Sequence, residues 1–237
     1  MKPLTLQTVH RQRLSYEVVR QLEDLILSND LSIGDVLPPE RELAERLGVS
    51  RNILREAISS MVQKRLLEVR QGSGTYVACP TAELLGDSLT FFVKLNATGF
   101  YELLETRIAL EVQIAELAAI RCNQEDIQII ESRLSELEVI VGDADQYVEA
   151  DIRFHTSLAE AAKNTVLRLL LNTIRGATRE NIRLLSKRHP TAIEEAMRHH
   201  RLIIKAIKQH HPEEAREAMR KHLDSVREDL QELETVN

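Results

Sequence analysis

Pro38-Pro39-Glu40-Arg41-Glu42-Leu43-Ala44-Glu45-Arg46-Leu47-Gly48-Val49-Ser50-Arg51-Asn52-Ile53-Leu54-Arg55-Glu56-Ala57-Ile58 is the stretch whose reading decides the architecture of the first third of the chain. It holds two short helical patterns joined by one glycine. Glu40 to Leu47 reads as a helix with Pro39 suited to its first turn, where a missing N–H costs nothing. Gly48 supplies the tight turn. Ser50 can cap a second helix running to about Lys64, with Ile53, Leu54, Ala57, Ile58 and Met61 as its buried face.

Working outward, Ser15 to Ser28 carries Val18, Val19, Leu22, Leu25 and Ile26 at the spacing of an amphipathic helix. Leu31 to Pro39 is a turn-rich connector, because its two prolines cannot sit inside a helix. On the far side, Leu67-Glu68-Val69-Arg70 and Thr75-Tyr76-Val77 alternate like two strands about Gln71-Gly72-Ser73-Gly74. That is a hairpin signal. Helix, helix-turn-helix and hairpin in this order predict a winged helix-turn-helix over residues 10–79. In such a motif the start of the second helix faces base edges while flanking cations grip phosphates. Ser50, Arg51, Asn52 and Arg55 occupy that position; Arg can pair bidentately with guanine and Asn with adenine. A wing tip at Gly72 and Gly74, free of side chains, can approach a phosphate closely.

Composition sets the bounds. The 237 residues suffice for two modest domains. Aromatics are 3% with no Trp, so the core must come from Leu, Ile, Val and Ala at helical spacing. No run of about 18 apolar residues exists, which argues against a membrane span. The amino terminus lacks a signal peptide's apolar stretch and only two cysteines occur, so a cytoplasmic protein with reduced thiols is expected. The net charge of -6 is uneven: residues 1–80 carry +1 and residues 81–237 carry -7. The acidic remainder argues against a second DNA-binding surface.

Residues 81–234 read as an all-α bundle of about seven helices: 81–95, 100–121, 124–141, 145–162, 165–186, 191–209 and 212–234, with Thr81 as a cap. The chemistry sits in its histidines. Asp151 and His155, four apart, project from one helix face. His200 and His222 lie midway along two further helices. Three helices can thus aim one carboxylate and three imidazoles at one interior point, a donor set suited to zinc, nickel, manganese or iron. The competing reading is that each histidine is a surface or core residue. His199 points about 100° away from His200, and His189, His210 and His211 lie in loops.

On these residues a resemblance stands. Residues 12–78 resemble the DNA-binding domain of the GntR family of bacterial transcription regulators, through Gly34, Leu37, Pro38, Glu40, Arg41, Leu43, Ala44, Leu47–Arg51, Leu54–Ala57, Leu66, Gly72, Gly74, Thr75 and Val77. The resemblance implies DNA contacts from Arg41, Ser50, Arg51, Asn52, Arg55 and the wing at Gly72. Residues 82–230 resemble the FCD ligand-binding domain of the FadR subfamily, through Leu104-Glu105-Thr106-Arg107, Glu111, Ala115, Asp151-Ile152-Arg153-Phe154-His155, His200, Met219 and His222. It implies a divalent metal, zinc foremost, held by Asp151, His155, His200 and His222 at the floor of an effector cavity. Arg107 matches a position often turned toward that cavity, and Arg175 and Arg179 lie on a helix that can line it. The expectation is a homodimeric repressor, not an enzyme, that binds double-stranded operator DNA under control of a small carboxylate or sugar acid. The alternatives are a metal sensor and a metalloenzyme with an attached nucleic-acid module.

Overall fold

A computed structural model describes residues 12–78, 82–95, 100–140, 143–188 and 190–235. The chain divides into two compact units, residues 1–80 and 81–237.

The first unit contains α1 (Gln12–Leu27), α2 (Glu40–Leu47), α3 (Arg51–Gln63), β1 (Leu67–Arg70) and β2 (Gly74–Val77). Gly48 ends α2 at φ 65°, the left-handed conformation a glycine takes without strain. Ser50 then starts α3, its side chain accepting the Ile53 N–H at 3.4 Å. Leu54, Ala57, Ile58 and Met61 of α3 pack with Val18, Val19 and Leu22 of α1, Leu43 and Ala44 of α2, and Leu67 and Val77 of the hairpin. Ile53, expected in the core, is only half-buried. The strands pair antiparallel with Leu67 opposite Val77 and Arg70 opposite Gly74. The connector is more than a turn. Its Val36 bridges Tyr76, and the Leu37 N–H reaches the Thr75 carbonyl at 2.8 Å, so it lies along the edge of β2.

The second unit holds α4 (Ala82–Leu95), α5 (Phe100–Arg121), α6 (Gln124–Glu138), α7 (Ala144–Ala161), α8 (Thr165–Arg188), α9 (Pro190–Lys208) and α10 (Pro212–Thr235). Seven helices are thus described where about seven were expected. The expected Thr81 cap lies outside the described residues, as do His10 and His189. Asn123 and Asp126 close a reciprocal capping box on α6, and Asp143 caps α7 through the Asp145 and Gln146 N–H groups. Helix α5 runs through the middle, against α7, α8, α9 and α10. Its Leu104, Ala115 and Ala118 share the core with Phe154 and Leu158 of α7, Leu171 of α8, Ile203 and Ile207 of α9, and Met219 and Leu223 of α10. Helix α4 packs on α8. At their crossing the backbones nearly touch: a Cβ on Gly86 would come within 3.2 Å of the Thr173 carbonyl oxygen, with the Gly176 Cα close by.

Candidate functional site

The α3 amino terminus is presented as its cap requires. Arg51 and Asn52 stand exposed on the first turn, Arg55 one turn on, and Arg41, Ser50 and Gly72 are exposed too. Gly72 sits at φ 74° in the hairpin tip. The Arg55 Nε donates to Glu40 Oε2 at 2.7 Å, so α2 steers the side chain through its secondary nitrogen. In the wing, the Arg70 guanidinium lies 4.3 Å from the centre of the Tyr76 ring, a cation–π contact the sequence reading did not anticipate.

In the helical unit His155 from α7, His200 from α9 and His222 from α10 converge, each fully or almost fully buried, with one ring nitrogen of each lying within 4.8 Å of the others. Asp151 Oδ1 is 3.6 Å from His155 Nε2 and 3.6 Å from His200 Nε2. Ligands about 2.1 Å from one ion stand roughly 3–4 Å apart, so the spacing fits. The chemistry fits as well. His155 Nε2, both ring nitrogens of His200 and Nδ1 of His222 are buried without a hydrogen-bond partner. Buried polar atoms left unpaired are rare unless an ion or another ligand is to satisfy them.

Behind the histidines lies a layer of charge. Glu111 on α5 brings Oε2 to 2.5 Å from His155 Nδ1, though poorly aligned for a hydrogen bond, and Oε1 accepts from Arg107 Nε at 2.7 Å. Arg175 on α8 donates to Asp151 Oδ2 at 2.8 Å and reaches Glu111 Oε2 at 3.5 Å. Two guanidiniums and two carboxylates therefore balance in the interior, none more than 5% exposed. Burial opposes the charge on Glu111, but Arg107, Arg175 and His155 outweigh it and hold the carboxyl well below the usual range. Burial likewise opposes the charge on Asp151, and Arg175, His155 and His200 hold it well below as well. Burial drives His200 down to about 3, with His155 and Arg175 adding to it. His222 is also well below its ordinary value, through burial and then its neighbours His200 and His155. Those two imidazoles are therefore neutral near pH 7, the state that binds a metal.

Beside this cluster opens a cavity whose lining includes Arg107, Tyr147, Asp151 and His222. Arg107 lies on the wall of this cavity. Arg175 is not on the cavity wall; it backs Asp151. Arg179 is half-exposed and paired with Glu149 at 2.9 Å, apart from the cluster. Sequence reasoning gave no role to Glu111 or Tyr147. The i, i+4 spacing of Arg107 and Glu111 was the one local signal for the former, and Tyr147, one turn before Asp151, carried none.

Residues 14–77 match "Bacterial regulatory proteins, gntR family" and residues 102–225 match the FCD domain. The "Uxu operon regulator" of Haemophilus influenzae is 37% identical over 86% of this chain and 77% of its own length. The "Uxu operon transcriptional regulator" of Escherichia coli is 39% identical over 66% of this chain, a match spanning only 61% of that protein. Among solved structures, "Streptococcus agalactiae GntR" superposes with a TM-score of 0.74 at 35% identity, covering 90% of this chain and 99% of that one. A winged helix-turn-helix with an exposed α3, followed by an FCD bundle of seven described helices, makes this chain a member of the GntR family of bacterial transcription regulators.

Proposed function

We propose that the chain is an effector-controlled repressor of the FadR subfamily, cytoplasmic and without catalytic activity, acting as a homodimer on a palindromic operator. The observation that carries this is the convergence of Asp151, His155, His200 and His222 beside a cavity, in a chain that also bears an exposed recognition helix. Asp151 and the three histidines would hold a divalent ion, zinc first, with nickel, manganese or iron as alternatives. Bound there, the ion supplies a Lewis-acid anchor for an anionic ligand. Arg107 faces the cavity as a partner for the carboxylate of a small organic acid or sugar acid. Arg175 keeps Asp151 oriented, and Glu111 does the same for His155, as outer partners do for metal-ligating groups. Arg41, Ser50, Arg51, Asn52, Arg55 and the Gly72 wing would meet the DNA.

Dimerisation is supported by the apolar surface left on the bundle. Phe91 and Leu95 of α4 and Val166 and Leu170 of α8 are exposed, and apolar residues left on a surface favour burial against a partner. No described helix is long and apolar enough to cross a membrane. The effector acts only if it binds one arrangement of the DNA-binding units more tightly than another.

The test uses a single operator fragment in fluorescence anisotropy, with elemental analysis alongside. Arg51→Ala should weaken specific binding by about 10-fold or more, the value of one bidentate base contact. His200→Ala should lower metal content and blunt the effector response, leaving basal operator affinity intact. Unchanged operator affinity in the first variant, or full metal occupancy in the second, refutes the corresponding assignment.

A further inference from the structure

The wing carries a charged face of its own, apart from the recognition helix and the Gly72 tip. Successive side chains along a strand alternate between faces, so Glu68 and Arg70 share one face of β1 while Leu67 turns into the core. The register sets Tyr76 opposite Glu68 and Gly74 opposite Arg70. Gly74 has no side chain to stand over Arg70. The guanidinium leans along the hairpin onto the Tyr76 ring, 4.3 Å from its centre, and Nη2 donates to Glu68 Oε2 at 3.1 Å. The ring is itself held in place. Its hydroxyl donates to the Ser73 carbonyl at 3.3 Å, and the Tyr76 backbone bridges Val36 of the connector. Arg70 thus stands on a fixed aromatic platform, with its side chain 54% exposed.

We propose that Arg70 grips a DNA phosphate and that Tyr76 is the positioning residue that prepares it, an inference that rests on the wing meeting DNA. Among the described residues the guanidinium spends only Nη2, on Glu68, which leaves Nε and Nη1 to donate to an anionic oxygen. A free arginine loses rotamer freedom when it takes a partner. A ring that already holds the guanidinium flat removes part of that cost. Glu68 does not cancel the contact, because an ion pair this exposed contributes little and its cation can turn to a phosphate. Arg70 stands on the wing's stem, two residues before the Gly72 tip. That place suits the backbone flanking a groove, where contacts fix register and carry no sequence information.

Two DNA probes separate the possibilities: a duplex selected by the full chain from a random-sequence pool, and a scrambled duplex of the same length and composition. Anisotropy titrations run across a potassium chloride series. Arg70→Gln should weaken both complexes by a similar factor, about 10-fold, and lower the slope of log affinity against log salt by about 0.9 for each wing engaged. Arg70→Lys keeps the charge and should keep the wild-type slope. Tyr76→Phe keeps the ring and should bind like wild type, whereas Tyr76→Leu should lose about 2- to 5-fold with the slope retained. An unchanged slope in Arg70→Gln overturns the phosphate contact, as does a loss confined to the selected duplex, the mark of a base reader. A slope lowered equally in Arg70→Lys points to a damaged hairpin and overturns it too. Wild-type affinity in Tyr76→Leu removes Tyr76 from the account. Arg51→Ala on the selected duplex keeps the two readings apart: weakened binding there, with Arg70→Gln unchanged, sinks the wing contact alone, and no effect in either variant sinks the DNA-binding assignment with it.

Discussion

Replacing Arg175 with Met tests the buried charge layer most directly. The guanidinium is fully buried and is the one cation paired with Asp151 Oδ2 among the described contacts, whereas Glu111 keeps Arg107 at 2.7 Å. Met has a similar volume, so the variant removes charge and hydrogen bonds more than packing. Asp151 would be left in the interior without its paired guanidinium, with the His155 and His200 imidazoles 3.6 Å from its Oδ1. Breaking one partner of a buried pair costs about 3–5 kcal/mol. At about 2–4 °C per kcal/mol for a unit of this size, the metal-free protein should melt roughly 6–20 °C lower. Zinc should reverse much of that, because a cation bound beside Asp151 replaces the missing charge and binding to the native state adds its own stabilisation. Adding Asp151→Asn to the metal-free variant should recover stability too, since the orphaned charge disappears. The assay is urea unfolding of wild type, single and double variants, with and without saturating zinc. An equal loss with and without zinc would refute the account, as would a double variant less stable than the single.

Acid should act on the metal-stripped protein well before ordinary carboxylates titrate. His200 is depressed to about 3 and His222 is well below its ordinary value, so below pH about 6.5 the unfolded chain binds protons that the folded one refuses. Stability is therefore complete above that pH and falls as pH drops, by about 1.4 kcal/mol per unit for each of the two groups; a flat urea midpoint from pH 7 to 5 would contradict it. The α4–α8 crossing predicts opposite outcomes for two glycines. Gly176→Ala places its methyl at an ordinary 3.8 Å from the Gly86 Cα and should gain up to about 1 kcal/mol of helix propensity, while Gly86→Ala meets a carbonyl oxygen at 3.2 Å and should be the less stable of the pair by thermal melting. In the first unit, Leu54→Ala empties a site with no exposure at all and should cost about 2–5 kcal/mol, with operator binding lost in step with the unfolded fraction seen by circular dichroism.

What could be read in advance was whatever the chain encodes locally. The turn at Gly48, the cap at Ser50 and the tip at Gly72 are each decided within a few residues, so α2, α3 and the wing fell where expected. Helix α6 was expected to reach residue 141 but ends at Glu138, since nothing sharp in the sequence marks the fraying of a last turn. The connector's edge pairing with β2 was hidden because its partner, Tyr76, lies far along the chain. Asp151 and His155 share a helix face and were legible as a pair. Their backing was not: Arg175 meets Asp151 across 24 residues and Glu111 across 64, and periodicity alone cannot say which neighbouring helix a side chain faces. Arg179 illustrates the limit, being one turn from Arg175 yet drawn outward to Glu149.

The glycine crossing of α4 on α8 has a mechanical consequence as well. Where side chains separate two helices, rotamer changes can absorb a small slide; where backbone rests on backbone, there is no such cushion. Gly176 directly follows Arg175, so the bearing surface and the inward guanidinium ride on the same turn of α8. Helix α4 is also the first described element of the second unit after the winged module in the chain. A rotation of α8 large enough to move Arg175 off Asp151 therefore has to drag or lift α4 with it, and the two glycines make that junction behave as a pivot.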